Sequence, residues 1–174
     1  MNVNIQKEKM TFSIGDQVIH PRHGLGQVTK LAIKQFVEGQ NRPFYEIAFP
    51  GSTLWVPLSS SSGIRKLTAK NELTNCRRLL QGPAKSLNPD FRMRLTELKN
   101  RINIGTLKAR CEVVRDLTAF NRKKQLSGLI SAFFQTTIDV LYQEWSAIEG
   151  ITKIEASNEI QSLLTEGEKV NDNN

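Results

Sequence analysis

The spacing of hydrophobic positions divides the chain into two parts of different character. From Phe12 to about Arg65, short runs of β-branched and aromatic residues alternate with clusters of glycine, proline, aspartate and asparagine. Such runs are typical of strands, and the clusters between them are typical of turns. The pattern predicts a small, strongly bent antiparallel sheet or barrel of about five strands.

After Gly82-Pro83, hydrophobic residues recur at intervals of three and four, the period of an amphipathic helix. We expect Thr106 and Ser127 to cap the second and third helices and Gly150 to end the third. Four periodic segments with short connections between them predict a compact helical bundle. These segments are residues 90–104, 106–124, 127–148 and 151–166.

The change of pattern predicts an α+β protein with a boundary between about Leu80 and Pro89. The expected parts are a β-rich domain over residues 11–80, a helical domain over 86–166, and flexible tails at 1–10 and 167–174.

Composition favours a soluble protein of the cytoplasm. Hydrophobic residues make up 39% of the chain and charged residues 24%, and no run of 18 apolar residues suggests a membrane span. The N-terminal ten residues lack the apolar segment of a secretory signal. The two cysteines, Cys76 and Cys111, lie far apart in the sequence without a ligand-like motif, which favours a reducing compartment and buried thiols.

The formal charge of +7 is distributed unevenly. Residues 1–80 carry +6, residues 81–126 carry +7 in only 46 positions, and residues 127–174 carry −6. A basic middle segment favours a polyanionic partner, although a solvated basic face without a partner would produce the same count.

The motif His20-Pro21-Arg22-His23-Gly24-Leu25-Gly26 invites two chemical interpretations that its context opposes. Zinc needs about four ligands, and the chain has no other histidine and no paired cysteines. A dinucleotide site needs a third glycine and a following helix, whereas β-prone residues follow here. We therefore interpret the motif as a turn and expect neither a metal nor a cofactor. No nucleophile with a base and an orienting acid stands out, so we predict no enzyme.

The stretch from Phe91 to Ile102 concentrates candidate nucleic-acid contacts. Four cations that suit phosphate oxygens surround Phe91, namely Arg92, Arg94, Lys99 and Arg101. Phe91 itself fits either a core anchor or a wedge against a base step. The later cluster at residues 122–124 has a structural explanation as well, because cations at a helix C-terminus interact favourably with the dipole.

Two motif sets in this order resemble a known family. The first comprises Phe12-x-x-Gly15-Asp16-x-Val18, Pro21-x-His23-Gly24-x-Gly26, and an aromatic-rich strand that ends in Val56-Pro57. The second is the segment from Gly105 to Leu117 with the later pair Leu126-Ser127. Together they resemble the CarD/CdnL family of bacterial transcription regulators over about residues 11–166. The transcription–repair coupling factor shares a module similar to the first.

The resemblance implies a Tudor-like N-terminal barrel that binds the β subunit of RNA polymerase, partly by pairing strand edges. The assisting basic positions of the family fall on Lys34, which keeps the charge, and on Trp55, where the contact would be apolar. Their structural alternatives are a solvated strand lysine and a core tryptophan.

The helical domain of the family contacts promoter DNA at the upstream edge of the transcription bubble, where a tryptophan wedges into the minor groove. That position falls on Phe91, and the neighbouring arginine pair of the family falls on Met93-Arg94. We expect the protein to be a monomer and to stabilise the open complex. Bidentate base readers are not evident, so we expect little sequence specificity. The alternative from a different class is a protein–protein adaptor whose basic bundle binds acidic protein instead of DNA.

Overall fold

The computed structural model describes residues 11–37, 40–59, 63–126 and 128–171, and the chain divides into two compact units between Leu67 and Thr68. The first unit is a β-sheet and the second is a set of helices, so the predicted α+β class is confirmed. The tail predicted at residues 1–10 and the N-cap predicted at Ser127 lie outside the described residues.

Among the residues described, the sheet contains five antiparallel strands in the order β4-β3-β2-β1-β5. Its strands are β1 Gln17–His20, β2 Gly24–Val37, β3 Gln40–Phe49, β4 Ser52–Pro57 and β5 Arg65–Lys66. The register of β2 against β3 shifts between Val28 and Lys30, which marks a bulge. Since a bulge bends a strand and increases its twist, the observed sheet has the predicted strand number and a local cause of bending.

One face of the sheet carries the core of the first unit. Leu31, Tyr45 and Val56 are neighbours across β2, β3 and β4, and the last two are almost fully buried. The Tyr45 hydroxyl accepts hydrogen bonds from the backbone N–H groups of Thr11 and Phe12, which brings the start of the described chain onto this core. Phe12 then packs edge-on against the Tyr45 ring.

The motif at residues 20–26 forms the turn between β1 and β2, as predicted. His20 Nδ1 accepts hydrogen bonds from the backbone N–H groups of Arg22 and His23, each at 3.1 Å. Gly24 has a φ of +76°, a conformation that L side chains rarely adopt. At Gly26 a Cβ atom would lie 2.5 Å from Cε1 of Phe49, so only glycine admits this ring. The motif is therefore explained by backbone geometry.

In the described residues of the second unit there are five helices, one more than the sequence pattern predicts. They are α1 Glu72–Gln81, α2 Phe91–Asn103, α3 Leu107–Lys123, α4 Gly128–Glu149 and α5 Lys153–Asn171. Thr106 accepts a hydrogen bond from Ala109 N as the predicted N-cap of α3. Gly150, with a φ of +74°, follows the last residue of α4 as predicted. Residues 167–171, predicted as part of a flexible tail, continue α5.

The additional helix α1 explains why the division falls before residues 80–89. Its buried residues Leu73, Cys76 and Leu80 join the core of the helical unit rather than that of the sheet. At Gly167 of α5 a Cβ atom would lie 2.6 Å from the Gln81 carbonyl oxygen, so α1 and α5 approach closely. Residues 72–81 belong to the helical unit because their apolar side chains have partners there.

Both cysteines are buried in this helical core, as expected. A hydrogen bond with Cys76, together with burial, raises the pKa of the Cys111 thiol well above its ordinary value. Two thiols that are distant in the sequence are therefore neighbours between α1 and α3, where they serve as small apolar groups.

Candidate functional site

The first candidate surface is the outer face of the sheet, opposite the core. Strand register places Lys30, Lys34, Arg42 and Trp55 on this face. Lys34 Nζ lies 4.1 Å from the centroid of the Trp55 ring, across the intervening strand β3. The two residues predicted to bind polymerase are thus brought together, although they are 21 positions apart in the sequence.

This pair presents a cation and an aromatic surface in one patch. Both side chains are partly exposed, so Trp55 is not the core residue that its structural alternative supposed. A cation over an aromatic face at an exposed site is worth roughly 0.5–1 kcal/mol, and Lys34 therefore has a preferred position. An ordered cation above a large apolar ring suits a protein partner that offers an acidic and an apolar group.

The second candidate surface is the start of α2, which we define as Phe91–Met93. Asp90 caps the helix, because its side chain accepts a hydrogen bond from Met93 N at 2.8 Å. The Asn88 side chain accepts from Asp90 N at 3.0 Å and donates to Glu97 at 2.9 Å, so the approach to the helix is ordered. The first turn of α2 consequently has a defined position.

The start of α2 exposes two large apolar side chains with a cation between them. Phe91 is 43% exposed and Met93 is 55% exposed, and Arg92 is exposed as well. Within the described residues, the backbone N–H groups of Phe91 and Arg92 have no acceptor. Helix N-termini of this kind attract anions through the free N–H groups and the helix dipole. The first turn thus combines stacking surface with an affinity for phosphate.

Lys99 extends this surface along the helix. It lies seven residues after Arg92, which places both cations on the same side of α2 about two turns apart. Thr96 and Asn103 lie on the same exposed stripe. The outer stripe of α2 therefore carries two cations and two short polar side chains.

Arg94 does not belong to this surface, because the structure places it in the interior. It is only 8% exposed, and Nη1 donates hydrogen bonds to the carbonyl oxygens of Asn88 and Pro89 at 2.7 and 3.1 Å. Its guanidinium also lies 4.8 Å from the centroid of Phe120. These contacts hold the segment before α2 against α3, a structural role that competes with the predicted phosphate contact.

Arg101 is also occupied within the helical unit. Its Nη2 atom lies 2.7 Å from Asp116 Oδ2 and 3.8 Å from Glu112 Oε2. Asp116 is buried, and its other oxygen accepts hydrogen bonds from Arg115 Nε and from Lys85 N. Arg101 therefore connects α2 to α3, and its charge is largely compensated by carboxylates.

Of the five predicted DNA contacts, the structure brings Phe91, Arg92 and Lys99 onto one exposed side of α2 and turns two others elsewhere. A signal for Arg94 was present in the sequence, since Arg94, Leu98 and Ile102 are spaced by four and form the buried side of the helix. Met93 was not proposed as a contact, although it is more exposed than Phe91, at 55% against 43%.

The fold and the two surfaces define a class of protein: a small β module for a protein partner, followed by a helical domain with an exposed apolar and basic helix start. Comparison with known sequences agrees. Residues 12–68 match the CarD-like/TRCF RID domain, and residues 76–161 match the CarD C-terminal domain. The chain belongs to the CarD-like family of bacterial transcription regulators, which interact with RNA polymerase.

A similar protein occurs in Bacillus subtilis (strain 168). The protein named "Putative transcription factor YdeB" is 29% identical over 147 residues, which cover 82% of this chain and 95% of the relative. Within the described residues, no helix is long and apolar enough to cross a membrane. The same residues contain no group of three potential metal ligands.

Proposed function

We propose that this protein binds the β subunit of RNA polymerase through its sheet and contacts promoter DNA at the upstream edge of the transcription bubble through the start of α2. It acts as a monomer in the cytoplasm, at the nucleoid, and stabilises the open complex with little sequence specificity. It performs no catalysis.

Two features of the sheet support the polymerase contact. The outer edge of β4 has no neighbouring strand within the described residues, which leaves backbone groups for pairing with a strand of the polymerase. Trp55 lies in that same strand, and Lys34 lies over its ring. Strand pairing would supply affinity, and the adjacent aromatic and basic side chains would supply specificity.

The observation that carries the DNA contact is the exposed first turn of α2. Phe91 and Met93 offer apolar surface that can insert at an unstacked base step, and Arg92 lies between them to contact phosphate. Phenylalanine lacks the indole N–H of the tryptophan in the family, so the contact is by stacking alone. Stacking and phosphate contacts are shared by all sequences, which explains a low sequence specificity.

The proposed mechanism is a shift of an equilibrium. Closed promoter DNA is fully stacked, whereas the open complex exposes a separated base step at the upstream fork. A wedge that contacts only the second state biases the equilibrium toward it by its difference in affinity. Attachment to polymerase raises the local concentration of the helical unit, so a weak DNA contact suffices.

The deciding experiment measures promoter opening by cognate bacterial holoenzyme with a fluorescent DNA probe. We expect the wild-type protein to prolong the open state and Phe91→Ala to lose most of this effect. The matched control is Ile104→Ala, which removes an exposed apolar residue from the other end of α2 and should act like wild type. Equal activity of Phe91→Ala and wild type would contradict the wedge.

A separate binding assay tests the polymerase contact. Trp55→Ala and Lys34→Gln should weaken binding of the full chain to the polymerase β subunit, whereas Lys66→Gln, on the short strand β5, should not. If polymerase binding depends on these residues but promoter DNA remains unaffected by the wild-type protein, the adaptor alternative replaces the DNA half of the proposal.

A further inference from the structure

The helical unit contains a cleft that the α2 surface does not use. It has a volume of about 470 Å³ and lies among the C-terminal end of α1, the segment that follows it, α3 and α5. We call it the α1–α3–α5 cleft and define it by Leu80, Arg115, Ala119, Arg122, Lys123 and Leu164. Clefts of roughly 300–1,000 Å³ are typical of sites for small molecules.

The walls of the cleft combine apolar and cationic chemistry. Leu80, Ala119 and Leu164 supply apolar surface from three different helices, whereas the cations Arg115, Arg122 and Lys123 all come from α3. The single acidic side chain of the lining is Glu168. The described lining therefore has a net positive charge and an apolar floor, which suits an anionic group attached to a compact organic body.

The three cations differ in how firmly they are held. Arg115 is almost fully buried and fixed by Asp116 and by the Leu79 carbonyl oxygen, at 2.9 and 3.2 Å. Arg122 forms an ion pair with Glu168 of α5. Lys123 is exposed and has no ion pair among the described residues. Lys123 is therefore available to an anion without the loss of an existing ion pair. Arg122 can bind an anion if it releases the Glu168 carboxylate.

The approach of α5 to the end of α1 beside this cleft is fixed by close backbone packing. A Cβ atom at Gly167 would lie 2.6 Å from the Gln81 carbonyl oxygen, so α5 lies directly against the end of α1. A cleft with such walls exists before a ligand arrives, which lowers the entropic cost of binding.

The dipole of α3 explains part of the positive charge, because cations are favoured at a helix C-terminus without any ligand. It applies equally to Lys124, the residue that follows the helix and does not line the cleft. It does not explain the apolar walls or the buried Arg115. We propose that the α1–α3–α5 cleft binds a phosphate ester of mononucleotide size, with the phosphate at Lys123 and Arg122 and the organic body against Leu80, Ala119 and Leu164.

The probe for this site is adenosine monophosphate, titrated into the full chain and followed by two-dimensional NMR. Adenosine and inorganic phosphate are the matching fragments. We expect the nucleotide to bind more tightly than either fragment, with the largest shifts at Ala119 and Lys123. No binding, or nucleotide binding no tighter than that of inorganic phosphate, would overturn the proposal.

Two neighbouring lysines provide the matched variants. Lys123→Gln should weaken nucleotide binding by about fivefold or more, since it removes a charge-assisted hydrogen bond, whereas Lys124→Gln should change it by less than about twofold. Both residues are exposed, so both variants should fold. Equal effects of the two variants would show nonspecific attraction to the end of α3 and would contradict a site in the cleft.

A third variant tests the cavity itself. Ala119→Leu keeps every charge and keeps good helix propensity, but it fills the apolar part of the cleft. We expect nucleotide binding to be lost while inorganic phosphate binding is unchanged. Unchanged nucleotide binding in Ala119→Leu would overturn the proposal, as would Lys123-dependent binding to a DNA duplex without any binding of the mononucleotide.

Discussion

The sheet unit and the helical unit differ in what they bury. Within the described part of the sheet unit, the buried side chains are apolar apart from the hydroxyl of Tyr45. The described residues of the helical unit include five buried charged side chains, namely Arg94, Arg110, Arg115, Asp116 and Glu144. Both units carry a positive formal charge before residue 126, yet only one of them takes that charge into its interior.

This difference changes the interpretation of the positive charge in the basic middle segment, residues 81–126. Eleven Lys and Arg residues lie between positions 81 and 126, and the count suggests a polyanion surface. Three of them are buried, and Arg101 is held by Asp116. Charge density along the sequence therefore overestimates the surface available to DNA, and Arg92 and Lys99, the exposed cations of α2, become more important.

The largest expected effect follows from removing the carboxylate that organises the buried charges. Asp116→Asn leaves Arg101 and Arg115 without their compensating negative charge in a buried position. We expect the free energy of unfolding to fall by about 3–5 kcal/mol in urea denaturation. The control Glu112→Gln changes a partly exposed acid 3.8 Å from the same Arg101 and should cost less than about 1 kcal/mol. Similar losses for the two variants would contradict the buried network.

A pair of arginines on one helix separates interior charge from surface charge. Arg94→Met should lower the free energy of unfolding by about 1–3 kcal/mol, because the buried guanidinium no longer donates to the carbonyl oxygens of Asn88 and Pro89. Arg92→Met should leave stability unchanged but reduce the salt dependence of DNA binding by about one phosphate contact. The measurement combines thermal unfolding with DNA affinity at several salt concentrations. A loss of stability in Arg92→Met, together with a reduced salt dependence of DNA binding in Arg94→Met, would contradict a surface position for Arg92 and an interior position for Arg94.

In the sheet unit, we expect the free energy of unfolding to depend on side-chain volume rather than on charge. Gly26→Ala places a methyl group 2.5 Å from Phe49 Cε1 and 2.9 Å from the Ala48 carbonyl oxygen. We expect a loss of about 1–3 kcal/mol in the free energy of unfolding. Gly51→Ala is the control, because no atom lies within 4 Å of its Cβ position and only its φ of +76° opposes the change. A neutral Gly26→Ala would mean that the ring of Phe49 moves freely.

The smallest expected effect concerns His20, whose Nδ1 atom accepts two backbone hydrogen bonds in the turn. Burial, aided by the charges of His23 and Arg22, lowers the pKa of His20 from 6.5 to about 4. Between these values the unfolded chain binds the additional proton, so stability falls as pH drops from about 6.5 and levels off below about 4. Solvent screening at this partly exposed ring limits the loss to about 1 kcal/mol.

An NMR titration of the His20 ring measures the shift directly, and His20→Asn should remove this part of the pH dependence. Asparagine can accept the same two backbone hydrogen bonds through its side-chain oxygen. A His20 pKa near 6.5 in the folded protein would show that the ring is not buried in the turn.

The sequence predicts the ends of secondary-structure elements well where a single local feature, such as a capping residue, determines them. Thr106 and Gly150 mark helix ends through capping chemistry that depends only on local residues, and both predictions are confirmed. The helix α1 was missed although Leu73, Cys76 and Leu80 have helical spacing, because a short periodic run beside a glycine and a proline also fits a linker. What distinguished it was its packing against α3 and α5.

The candidate site was predicted less completely for the same reason. Phe91, Arg92 and Lys99 are exposed on α2, and Lys34 lies over the ring of Trp55. Arg94 and Arg101 were expected beside them because the chain places them there in sequence. Their side chains point to partners in the segment before α2 and in α3, which local spacing does not specify.

The sequence alone determined the strand and helix periods, the turn at residues 20–26 and the family motifs, since these depend on residues close together in the chain. Only the tertiary structure decided which cations are buried, that Cys76 meets Cys111, and that a cleft opens beside Arg122 and Lys123. Burial and pairing depend on which distant segments come into contact, because a charge enters the interior only where another segment supplies its counterion and its hydrogen bonds.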